Sequence, residues 1–310
     1  MYRSSPIGFQ NTKFMKKNII ITGGAGFIGS NLTEFILKNR LANKIFVIDN
    51  YSSGSKKNHI KSKKIKYIKR DTKNIFEIQQ LKKIEINYIF HLAEFSRIVQ
   101  SFEHFDNCWE SNIQGTKKVI EFALYKKAKL IYSASSSKFG DEKNQYLSPY
   151  AWTKSKNVEL IKCYKEWYGL KYVICYFYNV YGPRQIKNHY MSAVIGIFEN
   201  QYLNNKPLTV VSPGNQKRDF THVFDIVEGF TEAGFNKINK EYQLASGKLL
   251  SLLQVAKMFN HKIKMIPKRP GERWSSKRDN LLKSKKDLNF IPKYSLSNYI
   301  KDFLHKNKKN

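Results

Sequence analysis

Short apolar runs alternate with amphipathic segments through the first half of the chain. The runs are four to six residues long and rich in Ile, Val, Tyr and Phe, which is typical of buried strands, at 18–21, 44–48, 66–69, 88–93, 130–133 and 172–177. Between them, apolar residues recur at helical spacing over 27–40, near 74–83, and over 109–125 and 150–168. This alternation predicts an α/β fold with a doubly wound parallel sheet, which binds ligands at the carboxyl ends of its strands.

The pattern changes after residue 178, where turn clusters appear at 180–183 and 212–215. Helical patterns at 192–202 and 250–258 and strand patterns at 208–211 and 218–222 predict a smaller α+β substrate-binding region. We expect this region to comprise residues 179–222 and 248–310, and the sheet domain to span 15–178 with a return segment at about 223–247. Residues 1–14 lack the apolar core of a secretory signal and precede a natural start at Met15, so we expect a disordered extension.

A glycine-rich turn joins the first predicted strand to the first predicted helix. Gly23 allows a tight turn, Gly26 lets the backbone approach a pyrophosphate, and Gly29 lets the helix pack against the strand. The helix start at Phe27 and Ile28 offers free N–H groups and a positive dipole to phosphates. Strand, glycine turn and helix together predict a Rossmann dinucleotide-binding loop.

An acid closes the second predicted strand at the distance that such a loop requires. Asp49 follows Gly29 by 49 − 29 = 20 positions, about the ~20-residue offset of the acid that binds the adenosine ribose. A carboxylate there repels a 2′-phosphate, so the sequence predicts NAD rather than NADP as the cofactor. The alternative is a solvated aspartate that merely ends a buried strand.

The formal net charge of +31 is extreme for 310 residues and raises the possibility of a nucleic-acid partner. The basic residues are nevertheless scattered among Asn and Ile without an RNA-binding motif, so we expect solvated basic faces that attract phosphorylated ligands. The three cysteines have no metal or redox spacing, which favours a reduced, cytoplasmic setting. No apolar run approaches the ~20 residues of a membrane span.

Tyr150 and Lys154 are four residues apart in a predicted helix that begins at Pro149, so both point from one helical face. A free tyrosine, with a pKa of about 10, is a poor base at neutral pH. A nearby ammonium favours the phenolate, and the pair then forms a general base that can take a hydroxyl proton. Four-residue Tyr–Lys spacings are common, and the motif gains weight here because it follows Ser135 and a dinucleotide loop.

From these features, the chain resembles the extended short-chain dehydrogenase/reductases, and within them the nucleotide-sugar epimerases and dehydratases. The resemblance spans about residues 17–304. Beyond the glycine loop and Asp49–Asn50, it rests on several further motifs, namely Asp71, 91–93, Asn112 with 115–116, 135–140, Tyr150 with Lys154, 179–184, 218–220 and 269–272.

The resemblance implies a role for each matching position. It places the pyrophosphate at Gly23, Gly26, Phe27 and Ile28, the adenosine ribose at Asp49 and Asn50, the adenine at Asp71 and Thr72, the nicotinamide at Leu92 and Ala93, and further cofactor contacts at Tyr150, Lys154 and Phe177. Ser135, Tyr150 and Lys154 form the implied catalytic triad, with Ser135 and Tyr150 also touching the sugar. Asn179, Arg218 and Arg269 are implied to bind the diphosphate region of the substrate. The family also implies a homodimer formed by helices 109–125 and 150–168.

The residues after the catalytic serine distinguish the reactions of the family. Dehydratases of this kind carry acidic residues there, and related decarboxylases commonly carry a Glu just before the aromatic-glycine turn. This chain has Ser136 and Ser137, so we expect NAD-dependent epimerisation, usually at C4, in which hydride leaves for NAD and returns to the other face of a keto sugar. A reductase, dehydrogenase or dehydratase on the same scaffold, and a basic NAD-sensing or nucleic-acid-binding protein, remain as alternatives.

Two residues depart from the family pattern beside the predicted nicotinamide site. Glu94 stands where a small residue is usual and Arg97 where an apolar one is usual. One interpretation is that the two pair with each other across a helical turn. The other is that Arg97 faces the sugar and binds a charged substituent such as a carboxylate, with Glu94 orienting it.

Overall fold

The computed structural model describes residues 17–139, 146–272 and 281–307. Seven strands in it form one parallel sheet, which confirms the predicted α/β Rossmann fold. In chain order these strands are β1 (Asn18–Thr22), β2 (Lys44–Asp49), β3 (Ile65–Lys69), β4 (Tyr88–His91), β5 (Lys129–Ser135), β6 (Tyr172–Phe177) and, after further elements, β11 (Lys240–Leu244). The spatial order β3-β2-β1-β4-β5-β6-β11 reverses direction between β1 and β4. That crevice is where ligands of such sheets bind.

Helices cover both faces of the sheet. The helical elements before β6 are α1 (Phe27–Lys38), α2 (Gln79–Lys82), α3 (Gln100–Glu103), α4 (Phe105–Trp109), α5 (Thr116–Tyr125) and α6 (Pro149–Tyr168). Successive strand residues point to opposite faces, so Ile20 packs in the cluster that contains α5 and α6, whereas Ile19 and Ile21 pack with α1 and α8 (Val223–Asn236). Within the described residues, the helices lack the combination of length and apolar character that a membrane span needs.

The remaining elements form a smaller α+β layer at the carboxyl edge of the sheet. They are β7 (Val180–Tyr181), α7 (Val194–Leu203), β8 (Leu208–Val211), β9 (Lys217–Asp219), β10 (Thr221–His222), β12 (Leu249–Ser251), α9 (Leu252–Lys257), β13 (Ile263–Ile266) and α11 (Leu296–Lys306). The exception is α10 (Leu281–Leu288), which packs against β11 and α8 of the sheet domain. Three two-stranded pairings, β7 with β10, β8 with β13 and β9 with β12, share this layer with a third apolar cluster around Phe198 and Phe259.

Several element boundaries differ from the sequence prediction. The helix expected near 74–83 is a 3₁₀ helix, Thr72–Glu77, followed by the short α2, because Asp71 caps the first turn and Asn74 and Ile78 leave helical geometry. The helix expected over 109–125 contains a π-helical turn, Glu110–Gly115. The strand expected over 218–222 divides at Phe220, because its two halves pair with different partners. The expected extension at 1–14 lies outside the described residues.

Candidate active site

A cavity of about 600 Å³ opens at the carboxyl ends of the sheet strands, a size within the range of small-molecule sites. The residues singled out from the sequence all line it, namely Gly23, Gly26, Phe27, Ile28, Asp49, Asn50, Asp71, Thr72, Leu92, Ala93, Arg97, Ser135, Tyr150, Lys154, Phe177, Asn179, Arg218 and Arg269. The fold therefore brings segments that are far apart in the chain to one site. The individual roles of these residues stay predictions.

The glycine loop has the shape of a phosphate cradle. Gly23 lies in the left-handed region at φ +70°, and a Cβ on Gly29 would stand 2.2 Å from the Gly23 carbonyl oxygen. Gly26 caps α1 without any side-chain hydrogen bond, and a Cβ there would stand 3.2 Å from the same oxygen. Because no side chain covers the start of α1, its N–H groups are open to a pyrophosphate. The loop thus fits an NAD cofactor.

Asp49 has a structural task besides the predicted ribose contact. Its carboxylate is 6% exposed and accepts the backbone N–H groups of Ala25 at 2.9 Å and Tyr51 at 2.8 Å. Burial raises the pKa of this carboxyl. The two hydrogen bonds from backbone N–H groups oppose that rise, because they favour the charged form. Asp49 therefore holds the glycine loop against β2, and it is also one of the residues that line the cavity.

A residue predicted at the adenosine ribose is tied to one predicted at the adenine. Asn50 donates its side-chain N–H to the Asp71 carboxylate at 2.9 Å. Asp71 in turn accepts the Lys73 N–H at 2.9 Å and so caps the 3₁₀ helix that begins at Thr72. A polar wall is therefore already formed where the cofactor's adenosine is expected.

A buried threonine at the end of β1, Thr22, holds the end of β4 beside the glycine loop. Thr22 Oγ1 accepts the N–H groups of Leu92 at 3.2 Å and Ala93 at 3.3 Å. The same hydroxyl lies 2.7 Å from His91 Nδ1, and His91 Nε2 lies 2.9 Å from Thr116 Oγ1. Burial lowers the pKa of His91 to about 4, so the ring is neutral in the folded protein at neutral pH.

The predicted triad sits on β5 and α6. Ser148 caps α6 by accepting the Ala151 N–H at 3.1 Å, and Pro149 occupies the first turn, as the sequence predicts. Tyr150 and Lys154 consequently share the helical face that lines the cavity. Ser135 ends β5, and its Oγ accepts the Ser137 N–H at 3.1 Å.

Lys154 has a buried acidic partner that the sequence analysis did not assign to it. Its ammonium forms an ion pair with Glu94 and donates to the Ser133 carbonyl. The Glu94 carboxylate also accepts from Tyr132 Oη at 2.9 Å, Asn157 Nδ2 at 2.9 Å and Thr116 Oγ1 at 3.1 Å. Oε1 therefore accepts from three neutral side chains and Oε2 from Lys154, which is the only charged partner of Glu94 among the described residues.

The expected pairing of Glu94 with Arg97 is wrong. Residues 92–97 are not helical, so the three-residue spacing does not bring the two side chains together. Arg97 instead donates from Nε to the Met191 carbonyl at 2.6 Å and from Nη1 to the Ser96 carbonyl at 2.7 Å. Glu94 has no contact with Arg97 and cannot orient it.

The residues expected at the diphosphate are linked by an acid. Glu272 pairs with Arg218 at 3.2 Å and with Arg269 at 3.5 Å. Asn179 donates its side-chain N–H to the Asp219 carbonyl at 2.9 Å. The motif at 269–272 had indicated this region, but its spacing in sequence did not indicate that Glu272 bridges the two arginines.

The Rossmann sheet, the phosphate cradle and the Ser–Tyr–Lys set define an NAD-dependent enzyme of the short-chain dehydrogenase/reductase class. The model of the NAD dependent epimerase/dehydratase family matches residues 19–245, and the chain belongs to that family.

Individual relatives agree with this assignment. The chain is 29% identical over 307 residues to the uncharacterized UDP-glucose epimerase YtcB of Bacillus subtilis, covering 90% of this chain and 94% of that protein. The UDP-N-acetylglucosamine 4-epimerase of Methanobrevibacter ruminantium, solved with UDP-N-acetylmuramic acid, is 28% identical, with a TM-score of 0.82 and coverage of 94% and 97%. The UDP-glucuronic acid 4-epimerase of Bacillus cereus, solved with UDP-glucuronic acid and NAD, is 26% identical, with a TM-score of 0.83 and coverage of 93% and 99%.

The relatives do not share one reaction. A UDP-glucuronic acid decarboxylase of Arabidopsis thaliana and a dTDP-D-glucose 4,6-dehydratase of Dictyostelium discoideum also match, at 28% and 30% identity. The comparisons therefore define a nucleotide-sugar epimerase/dehydratase that uses NAD, and the reaction must be argued from the site.

Proposed function

We propose that this chain is an NAD-dependent epimerase that inverts C4 of a nucleotide-diphosphate sugar through a keto intermediate. The observation that carries the proposal is that one cavity contains Ser135, Tyr150 and Lys154 together with the glycine loop. The pyrophosphate of the cofactor and the reacting carbon of a sugar would thus be held in the same enclosed space.

NAD, when bound, supplies the acceptor and donor of hydride at the sugar carbon. Tyr150 removes the proton of the C4 hydroxyl and later returns it to the same oxygen. Lys154 lies one helical turn from Tyr150 on the face that lines the cavity and completes the triad, while Ser135 donates a hydrogen bond that orients the sugar oxygen. Arg218 and Arg269 hold the diphosphate, because guanidinium groups match phosphate oxygens, and the sugar can turn about that anchor between the two half-reactions.

The segment after Ser135 supports epimerisation over elimination or decarboxylation. Ser136 and Ser137 are 4% and 1% exposed and carry no charge. Lys138 occupies the position of the decarboxylase glutamate, and its ammonium lies 5.9 Å from the centroid of the Tyr176 ring, outside the cavity wall. Of the described acids in that wall, Glu94 alone bonds a triad residue, and it is committed to Lys154. Among the described residues, no second carboxylate is bonded to Ser135, Tyr150 or Lys154, which favours epimerisation over reactions that need a further acid or base beside the triad.

The experiment is to incubate the purified protein with UDP-, GDP-, CDP- and ADP-sugars and to follow the products by NMR, with Tyr150→Phe as the inactive control. We expect a C4 epimer of one sugar, formed without added NAD and without net production of NADH. A 4-keto-6-deoxy product, release of CO₂ or stoichiometric NADH would contradict epimerisation.

The alternatives differ in how they hold the cofactor. An epimerase regenerates its NAD in each cycle, so we expect NAD to remain bound through gel filtration. A reductase or dehydrogenase exchanges NAD and NADH with solution and would lose it. Salt-sensitive retention on heparin without turnover would instead support a nucleic-acid-binding or NAD-sensing protein.

Assembly and location complete the proposal. We infer a cytoplasmic homodimer in which the helices expected over 109–125 and 150–168 pair with their copies, because these segments expose large aromatic side chains, among them Tyr125 and Trp167 at 56% and 62%. The basic faces outside the cavity are then solvated surface, with no role assigned in binding nucleic acid.

A further inference from the structure

Five basic side chains line the cavity in the described part of the chain, and four of them have an acidic partner. The pairs are Arg70 with Glu77, Lys154 with Glu94, Arg218 with Glu272 and Arg269 with Glu272. Arg97 is the fifth, and no described carboxylate lies within ion-pairing distance of it. The acid nearest to it in sequence, Glu94, is fully engaged by four other side chains.

Arg97 is also fixed in position before any substrate arrives. Nε and Nη1 donate to the carbonyls of Met191 and Ser96, and Nη1 also reaches Ser96 Oγ at 3.3 Å. These bonds orient the guanidinium plane and leave Nη2 without a partner among the described residues. Carbonyl oxygens satisfy N–H groups but do not neutralise the charge, so the fork remains a preorganised anion-binding group.

The surroundings of Arg97 make an unpaired charge costly. The side chain is partly buried in the cavity wall, and withdrawal from water lowers the pKa of its guanidinium. Arg97 Nε bonds the Met191 carbonyl, and Met191 packs in one apolar cluster with Tyr150. Arg97 is therefore placed at the end of the cavity that contains Tyr150, whereas the two arginines expected at the diphosphate are tied to each other through Glu272.

An anion at that end must belong to the sugar. The diphosphate is expected at Arg218 and Arg269, and the cofactor pyrophosphate at the glycine loop, so neither is available to Arg97. A carboxylate on the sugar ring or on one of its substituents would accept from Nη2 and neutralise the charge of the guanidinium.

We propose that Arg97 forms a carboxylate subsite and that the substrate is a nucleotide-diphosphate sugar that carries an acidic group. This inference rests on the proposed function for the placement of the sugar, and it adds the class of sugar. Neutral hexoses would leave Arg97 uncompensated in the closed site, which costs affinity because a buried charge needs a partner.

The test compares matched sugars that differ by the carboxylate. UDP-glucuronic acid is compared with UDP-glucose, and UDP-N-acetylmuramic acid with UDP-N-acetylglucosamine, by calorimetric binding to the NAD-loaded Tyr150→Phe protein, in which no turnover occurs. We expect the acidic member of at least one pair to bind roughly 10- to 100-fold more tightly, as charge-assisted hydrogen bonds provide. A preference within the glucuronic acid pair would indicate a carboxylate among the ring substituents. A preference within the muramic acid pair would indicate a carboxylate on an ether side chain.

Variants at Arg97 then separate a binding role from a structural one. In Arg97→Gln and Arg97→Val the preference for the acidic sugar should disappear while the neutral sugar binds as before, and Arg97→Lys should keep part of it. Arg70→Gln is the control, since Arg70 lines the cavity but has its own acid, and it should affect both members of a pair equally. Equal losses for both sugars in the Arg97 variants, or no preference in the parent protein, would overturn the inference.

The outcome is distinguishable from failure of the proposed reaction. A carboxylate preference that depends on Arg97 supports the subsite even where the NMR panel shows a product other than a C4 epimer. Epimerisation of neutral sugars without such a preference supports the reaction and rejects the subsite.

Discussion

Glu94 and Lys154 form an ion pair whose side chains are 2% and 7% exposed, at the face of α6 that lines the cavity. The pair joins the end of β4 to the helix that carries Tyr150, and it extends through Thr116 to His91. Lys154 is thereby held in one place by a carboxylate and by the Ser133 carbonyl. Buried ions of this kind are costly to separate, so the pair fixes the position of the triad lysine.

The first prediction concerns this pair. Removing either partner leaves the other charge buried and unpaired, so Glu94→Gln and Lys154→Met should each lower the free energy of unfolding by about 3–5 kcal/mol. The double variant should be less destabilised than the sum of the two by about 1–3 kcal/mol. Urea unfolding of the four proteins measures the coupling. The exposed pair Lys117–Glu121 is the control, and its coupling energy should not exceed ~0.5 kcal/mol. Equal coupling energies in the double-mutant cycles of the two pairs would contradict the prediction.

The second prediction is that the protein prefers NAD to NADP. The Asp49 carboxylate lines the cavity edge where the adenosine ribose is expected, and it would repel a 2′-phosphate. We expect the dissociation constant for NADP to be at least roughly tenfold higher, the effect of a single like-charge contact near a surface. Asp49→Asn should reduce the ratio of the NADP and NAD dissociation constants. It should also weaken NAD binding, because the Asp49 side chain accepts the backbone N–H groups of Ala25 and Tyr51. Equal or tighter binding of NADP to the parent protein would show that Asp49 does not face the ribose.

The third prediction concerns the general base. Tyr150→Phe should lower kcat by roughly 10²–10⁴-fold, as the loss of a general base does, and leave folding and NAD binding intact. Ser135→Ala should act in the same direction. Tyr168→Phe, on the same helix but 63% exposed and outside the cavity, should retain full activity. Near-normal turnover in Tyr150→Phe would mean that another group takes the proton.

The fourth prediction is that the protein is a dimer at micromolar concentration, measured by light scattering. Tyr125 on α5 and Met265 on β13 are both exposed, at 56% and 42%, but only Tyr125 lies on the expected interface. Tyr125→Glu should raise the dimer dissociation constant at least roughly tenfold, because a charge replaces an aromatic anchor. Met265→Glu should have no effect. A monomer mass for the parent protein would refute the proposed assembly.

The fifth prediction concerns the stability contributed by His91. Its pKa is lowered by burial to about 4, whereas an unfolded histidine titrates near 6.5. Between these values the unfolded chain binds a proton that the folded protein does not, so stability falls as the pH is lowered through this window. The difference in unfolding free energy between the parent and His91→Gln should therefore shrink by about 3 kcal/mol from pH 6.5 to pH 4. His305→Gln, at an exposed position, should show no such change.

Much of the site follows from features that are local in the chain. The glycine loop with Asp49, and Tyr150 with Lys154 behind the cap at Ser148, are defined by spacing along one strand, turn or helix. Within one strand, turn or helix, the backbone geometry determines where residues at a given spacing lie relative to one another. The sequence by itself therefore predicted the sheet and the cavity-lining residues.

The tertiary structure decided the partners of the charged groups. Glu94 lies 60 residues from Lys154 and Arg218 lies 54 residues from Glu272, and neither pairing has a signature in spacing. The charged start of β11, Lys240–Glu241, likewise concealed a seventh strand, which forms because β6 offers it an edge. A buried charge takes whichever opposite charge packing brings within reach, and for Arg97 packing brings none from the described chain.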